Sequence, residues 1–378
     1  MMKPISFYFH FPFCVRKCNY CDFVSYSCDG IVPDLLDYYL RELDLYSKFL
    51  DDRIVKTIYF GGGTPSLMNP IWIEEIVEKI YSLFSVASDV EITLEVNPKT
   101  VNLEKLKCFY QAGINRLSVG IQSLNDEELK FLGRIHNVKD ALQTLDYAKK
   151  YFSNVSADFI YALPNQTLEN WWANLEKIKQ LKLNHLSLYQ LIIEPKTPLY
   201  NSVKQHKVNS IDDRVAIKMF EYTNRVLKSS LPQYEISNYA KKGFESKHNL
   251  NYWNGGDYVG IGVNAAGRIV KDGKIYITEN PKQIEQWIKN VDALFLPLKI
   301  LSKRKRAEEL LIMGLRKNKG INFNDFSSSC FLDFFDVVDR QKFENFVNNK
   351  YLIMTSGGVR VSVKGRNVLD SVIREIAK

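Results

Sequence analysis

The feature that most constrains this chain is an alternation of short apolar runs with helical patterns between residues 5 and 191. Residues 5–10 (ISFYFH), 55–60 (VKTIYF), 91–96 (EITLEV), 116–121 (RLSVGI), 155–163 (VSADFIYAL) and 185–191 (HLSLYQL) read as strands. Between them, 32–50, 69–84, 103–112, 126–133, 139–152 and 168–181 carry helical periodicity. Strands that alternate with helices imply parallel βαβ units, either a doubly wound sheet or a barrel, and six strands suit a complete or partial barrel. In a barrel, chemistry collects at the C-terminal ends of the strands.

The pattern changes beyond residue 200. A helix is expected at about 210–228, followed by YEISNYA and a polar, Gly-rich stretch over 247–268. Asp272-Gly273 predicts a hairpin turn, and Ser356-Gly357-Gly358 a second one before a last helix at about 365–377. The chain therefore divides into a barrel over 1–200, a linker or accessory region over 201–300, and a C-terminal α+β, winged-helix-like domain over 301–378. Hydrophobic residues make up 46% and charged residues 25% of the 378, which argues against disorder. No run of 18 apolar residues predicts a transmembrane helix, and the N-terminus does not read as a signal peptide, so a cytoplasmic location is expected. The net charge of +8 is mild, and the run Lys303-Arg304-Lys305-Arg306 reads as a solvated helix start. Nucleic acid is not an expected partner.

Four of the six cysteines, Cys14, Cys18, Cys21 and Cys28, crowd into 15 consecutive positions. Without a secretory signal, this favours a metal or redox site over disulfides. Cys14-x₃-Cys18-x₂-Cys21 puts three thiols on one loop, and Cys28 or His10 could complete a tetrahedral zinc site. An iron–sulfur cube held by three cysteines instead leaves one iron with open coordination positions. One strand later, Gly61-Gly62-Gly63-Thr64-Pro65 lets the backbone approach a ligand closely.

YFHFPFCVRKCNYCDF, FGGGTPS, EVNP, GIQS, LGRIHN and HNLNYW together resemble the coproporphyrinogen-oxidase-like branch of the radical S-adenosylmethionine (SAM) superfamily. The resemblance runs from about residue 5 into the C-terminal domain and implies a partial (β/α)6 radical-SAM barrel. It implies that Cys14, Cys18 and Cys21 hold a [4Fe–4S] cluster whose fourth iron chelates SAM. It further implies that Tyr8 lines the site, that Gly62, Gly63 and Thr64 lie beside the methionine moiety, and that Glu95, Gln122, Arg134 and Asp158 hold SAM. A carboxylate suits ribose hydroxyls, and an Arg binds a carboxylate through a planar pair of bonds. In this family, one electron passed from the reduced cluster to the sulfonium breaks a carbon–sulfur bond of SAM.

Within the branch stand oxygen-independent coproporphyrinogen III oxidases and HemW-type haem chaperones. The oxidases carry a fourth cysteine two positions after the last ligand, where this chain has Phe23, and a substantial N-terminal extension before the cluster motif, which is not expected here because Cys14 comes so early in the sequence. His248-Asn249-Leu250-Asn251-Tyr252-Trp253 matches the HNxxYW signature of the chaperones and makes His248 the candidate haem contact. The resemblance thus implies a haem carrier with a SAM-ligated cluster, an acceptor protein for the haem, and an electron donor if SAM is cleaved. The alternative is oxidative decarboxylation of coproporphyrinogen III propionates to vinyls. His136 either belongs to the LGRIHN motif's function or caps a helix end. Three residues depart from the family pattern: Ala266 stands in place of a His, and Ala162 and Asn165 in place of glycines. Cys28, Cys108 and Cys330 read as small buried hydrophobes.

Overall fold

The computed structural model describes residues 2–28 and 34–378; the first two residues of the expected helix at 32–50 lie outside the described residues. Six strands, β1 (Lys3–Phe11), β2 (Arg53–Gly62), β3 (Ser85–Val96), β4 (Arg116–Gln122), β5 (Asn154–Tyr161) and β6 (His185–Gln190), lie side by side in sequence order, each parallel to the next. Both faces of such a sheet are covered, so its strands run nearly continuously apolar. In β1, Phe7, Phe9 and Phe11 are all fully buried. Helices at Pro70–Leu83, Leu103–Gln111, Asp126–Leu132, Val138–Tyr151 and Leu168–Gln180 return the chain between strands. Each begins at an Asn or Thr (Asn69, Asn102, Asn125, Asn137, Thr167) whose side chain accepts a first-turn backbone N–H.

The segment 201–300 adds strands to both edges of this same sheet. Asn238–Ala240 pairs antiparallel with β6, and Tyr258–Ile261 pairs parallel with the far side of β1. Ala266–Lys271, Lys274–Glu279 and Leu298–Ile300 continue outward, giving an eleven-stranded sheet. The Asp272-Gly273 turn is present with both residues at positive φ, +50° and +68°, as a tight hairpin of this twist requires. The stretch 247–268, expected only as polar and Gly-rich, holds the helix Lys247–Trp253 and a strand that sits centrally in the sheet.

Residues 303–378 gather a second hydrophobic core around Leu311, Phe326, Phe334, Val359 and Ile373. Its three-stranded antiparallel sheet contains Ile321–Asn322, Gly358–Val361 and Leu352–Thr355. The expected last helix divides into Val363–Arg366 and Leu369–Ile376. The basic run at 303–306 does begin a helix, capped by Ser302, but Arg306 is not solvated. It is 1% exposed, donates to the Gly255 carbonyl, and pairs with Glu309 at 3.0 Å.

Candidate functional site

The cysteine loop leaves the end of β1 and is fastened by Asn19. Its backbone N–H donates to the Leu132 carbonyl (3.0 Å) and its Nδ2 to the Phe131 carbonyl (2.8 Å). Gly133 makes this docking possible. It closes helix Asp126–Leu132 at φ +77°, and a Cβ there would stand 3.0 Å from the Asn19 side chain. The next residue, Arg134, returns to the loop: Nη1 donates to Cys18 Sγ at 3.4 Å and Nη2 to the Gly120 carbonyl at 2.9 Å. The LGR portion of LGRIHN is thus a clamp on the cysteine loop.

The glycine turn at the end of β2 lies against the same loop. Gly63 N donates to the Phe11 carbonyl, Thr64 N to the Phe13 carbonyl, and Thr64 Oγ1 to Cys14 Sγ at 3.3 Å. A Cβ on Gly63 would sit 2.7 Å from the Phe13 oxygen, and Gly62 adopts φ +110° against the His10 ring. Bulk is excluded at both positions.

Together these elements wall a cavity of about 460 Å³ over the strand ends. Of the residues named from sequence, Cys14, Cys18, Cys21, Gly62, Gly63, Thr64, Glu95, Gln122, Arg134 and Asp158 all line it. Glu95 accepts from the Tyr59 hydroxyl at 2.9 Å, and Asp158 accepts from Ser118 Oγ at 3.0 Å. Burial pushes the Glu95 carboxyl up to about 7 against the opposing Tyr59 hydrogen bond, and burial also raises Asp158. Burial raises the Cys14 thiol and takes Cys21 to about 11. Gln122 holds a left-handed backbone, φ +70°, an unusual conformation for a non-glycine residue and one that collects at functional sites.

Two candidates stand elsewhere. Tyr8 does not line the cavity; it stacks behind Tyr59 at 6.1 Å between ring centroids, and its hydroxyl meets His10 Nδ1 at 3.1 Å. His248 is 1% exposed, and both ring nitrogens are engaged, Nδ1 with the Thr57 hydroxyl (2.7 Å) and Nε2 with the Tyr252 hydroxyl (2.8 Å). Burial lowers its pKa to about 3, so the ring is neutral. The reading of His248 as a haem contact is corrected on this geometry: it is a structural histidine stacked on Tyr59 at 4.8 Å. His136 likewise caps no helix. It is buried, its Nε2 meets the Ile121 carbonyl at 3.1 Å, and burial with the nearby Arg134 lowers its pKa to about 4.

Sequence reading missed Tyr59, Asn97, Arg116, Ser118 and Tyr189, which also line the cavity. A signal existed. Arg116, Ser118, Gly120 and Gln122 are spaced by two along β4, so they share its inward face.

A barrel of parallel strands that gathers three thiols, a glycine turn and buried polar groups over its C-terminal ends is the frame of a cluster-and-nucleotide protein. A model of the radical SAM superfamily matches residues 8–178, and a HemN C-terminal domain model matches 301–368. A protein of Buchnera aphidicola named heme chaperone HemW is 33% identical, covering 100% of this chain and 99% of that one. The heme chaperone HemW of Escherichia coli is 40% identical over 73% of this chain and 74% of its own. A zebrafish (Danio rerio) protein named radical S-adenosyl methionine domain-containing protein 1, mitochondrial, is 36% identical over 98% of this chain and 86% of its own. The solved coproporphyrinogen III oxidase (HemN) of Escherichia coli shares the fold, with a TM-score of 0.82 and 22% identity over 99% of this chain and 90% of that one. The chain belongs to the radical SAM superfamily, in its HemN-like branch and close to the HemW proteins. No helix among the described residues is long and apolar enough to cross a membrane.

Membership implies a [4Fe–4S] cluster and SAM, and the residues present fit both. Among the described residues no His, Cys, Asp or Glu group is already drawn together as a set for a single metal ion. Three free thiols on one loop suit a cluster in which each binds a separate iron. Burial favours the neutral thiols of Cys14 and Cys21, whereas a coordinating thiol is deprotonated outright. Arg116 Nε, Arg134 Nε and Asn97 Oδ1 are buried without a hydrogen-bond partner, and their residues line the cavity, so the wall is built for a polar guest. When bound, the cluster and SAM supply one-electron chemistry; the chain contributes position, charge and exclusion of water.

Proposed function

We propose that this protein is a cytoplasmic haem carrier: it binds haem and a SAM-ligated [4Fe–4S] cluster and passes the haem to an acceptor protein. Cys14, Cys18 and Cys21 would hold the cluster. Gly62, Gly63, Thr64, Glu95, Gln122, Arg134 and Asp158 would hold SAM, with Tyr8 supporting that wall through Tyr59. The observation that carries this reading is the end-to-end similarity to the Buchnera protein named a heme chaperone. Phe23 supports it, because this 63% exposed side chain lines the cavity where the oxidase pattern expects a fourth cysteine.

Titrating the purified, reconstituted protein with haem and following the Soret band tests the proposal. Saturation at one haem per chain is the expected result, and the absence of stoichiometric binding overturns it. An anaerobic assay with SAM, reductant and coproporphyrinogen III is expected to give no sustained protoporphyrinogen; turnover would make the chain an oxidase.

A further inference from the structure

His248 is sealed, and the barrel cavity of about 460 Å³ already has to take a cluster and SAM. Cations and carboxylates are also balanced there: Arg16, Lys17, Arg116 and Arg134 face Asp22, Glu95, Asp158 and Glu194. Neither the space nor the charge suits a large planar dianion.

A second hollow does. A groove of about 750 Å³ lies between helices Leu168–Gln180 and Asp213–Leu227 of the barrel and the strand Gly358–Val361 of the C-terminal domain. Its volume falls within the roughly 300–1,000 Å³ typical of small-molecule sites. Lys218, Tyr222 and Arg225 recur at i, i+4 and i+7, so one stripe of their helix faces the groove. Lys228 extends that stripe, while Arg360 and Arg366 stand on the opposite wall. Against these five cations the groove has one carboxylate, Glu221, which accepts from Asn367 Nδ2 at 2.6 Å. None of the five forms an ion pair with a carboxylate among the described residues. Between the charged walls, Trp172 stacks on Tyr222 with centroids 4.7 Å apart and planes 25° from parallel. Trp172 is 36% exposed, and Val363 is 78% exposed.

We infer that this groove is a seat for a planar, apolar ligand carrying two carboxylates, a tetrapyrrole of the haem class. The aromatic pair and exposed Val363 would meet the macrocycle, and the cations on either wall would meet its propionates. No His, Cys or Met lines the groove, so the ring and the carboxylates do the holding and the iron does not. The inference rests on the haem-carrier reading and gives that reading a location 

separate from the SAM site. It also places the cargo between two hydrophobic cores, where a shift of one against the other would open the seat.

The test uses the full chain with its cluster reconstituted. Haem titration of the unsubstituted protein is compared with the triple variant Lys218→Glu, Arg225→Glu, Lys228→Glu and with Trp172→Ala. Reversal of the three charges is expected to weaken haem binding by about tenfold or more, with far-UV circular dichroism and cluster iron content unchanged. Trp172→Ala, which removes no charge, is expected to weaken it severalfold. Metal-free protoporphyrin should compete with haem at comparable concentration, and raising salt should weaken haem binding to the unsubstituted chain. Failure of the unsubstituted chain to bind haem overturns the carrier reading and the groove with it. Binding that survives the charge reversal and Trp172→Ala undiminished, or that metal-free protoporphyrin cannot displace, overturns the groove alone.

Discussion

Ala162 shows what a family glycine was for. It occupies φ +59° while buried at 2% exposure, and Asn165, the second departure, sits at φ +63°. Alanine in the left-handed region costs about 1–2 kcal/mol, while glycine gives back some of that through its freer unfolded chain. Ala162→Gly should therefore stabilise the protein by about 0.5–1 kcal/mol in urea denaturation. His248 gives a prediction with a sign. Its folded pKa of about 3 lies below the ordinary 6.5, so below pH 6.5 the unfolded chain binds a proton that the native chain refuses, and stability falls. Between pH 7.5 and 5.5 this one group should remove roughly 1.4 kcal/mol. Buried His136 and His185 add losses of the same sign to both proteins, so paired urea melts should show the drop smaller in His248→Asn than in the unsubstituted protein by about that amount. The cysteine triplet and the glycine turn were legible because their chemistry is local in the chain. The burial of His248 was not, because Thr57 and Tyr59 reach it from a strand far away in the chain.

Elements were legible where their pattern was long. The parallel strands and the helices between them were expected within a few residues of where they lie, except that β3 begins at Ser85, six residues before its expected start, since apolar spacing and Asn or Thr caps sit in the same short windows. The seven-residue helix Lys247–Trp253 and the four-residue strand Tyr258–Ile261 were not. Elements that short carry little periodicity, and the strand's place beside β1 is set by a partner far away in sequence. The same holds for Arg306, whose basic neighbours suggested solvent. In the structure Glu309 accepts from both Arg268 on the sheet (2.9 Å) and Arg306 (3.0 Å), joining helix Lys303–Arg316 to the barrel's extension. Glu309→Ala leaves the buried Arg306 without its counter-charge and should cost about 3 kcal/mol, read as a lowered melting temperature and earlier proteolytic release of the C-terminal region.

At the scale of the whole molecule, the cofactor site and the fold are separable. The barrel core is continuous beneath the cavity, from Phe7 and Phe60 through Leu117 to Leu188, and does not depend on the cysteine loop. Cys18→Ala should therefore abolish bound iron and the cluster's visible absorption after anaerobic reconstitution, while the far-UV circular dichroism stays unchanged. Haem binding should survive this variant, because the proposed seat shares no residue with the cavity. The position of β1 has a consequence for how the molecule is made. One neighbour of β1, Arg53–Gly62, emerges soon after it, but the other, Tyr258–Ile261, is translated about 250 residues later. At about 5–20 residues per second, one flank of the first strand stays unpaired on the ribosome for roughly 12–50 s. The thiols are thus the first part of the pocket to be synthesised, and they meet the surrounding medium before the walls that will shelter them exist. Iron–sulfur assembly on this protein is in that sense a question of timing: the oxygen to which the nascent loop is exposed during those seconds bears on how much of the finished protein can be loaded.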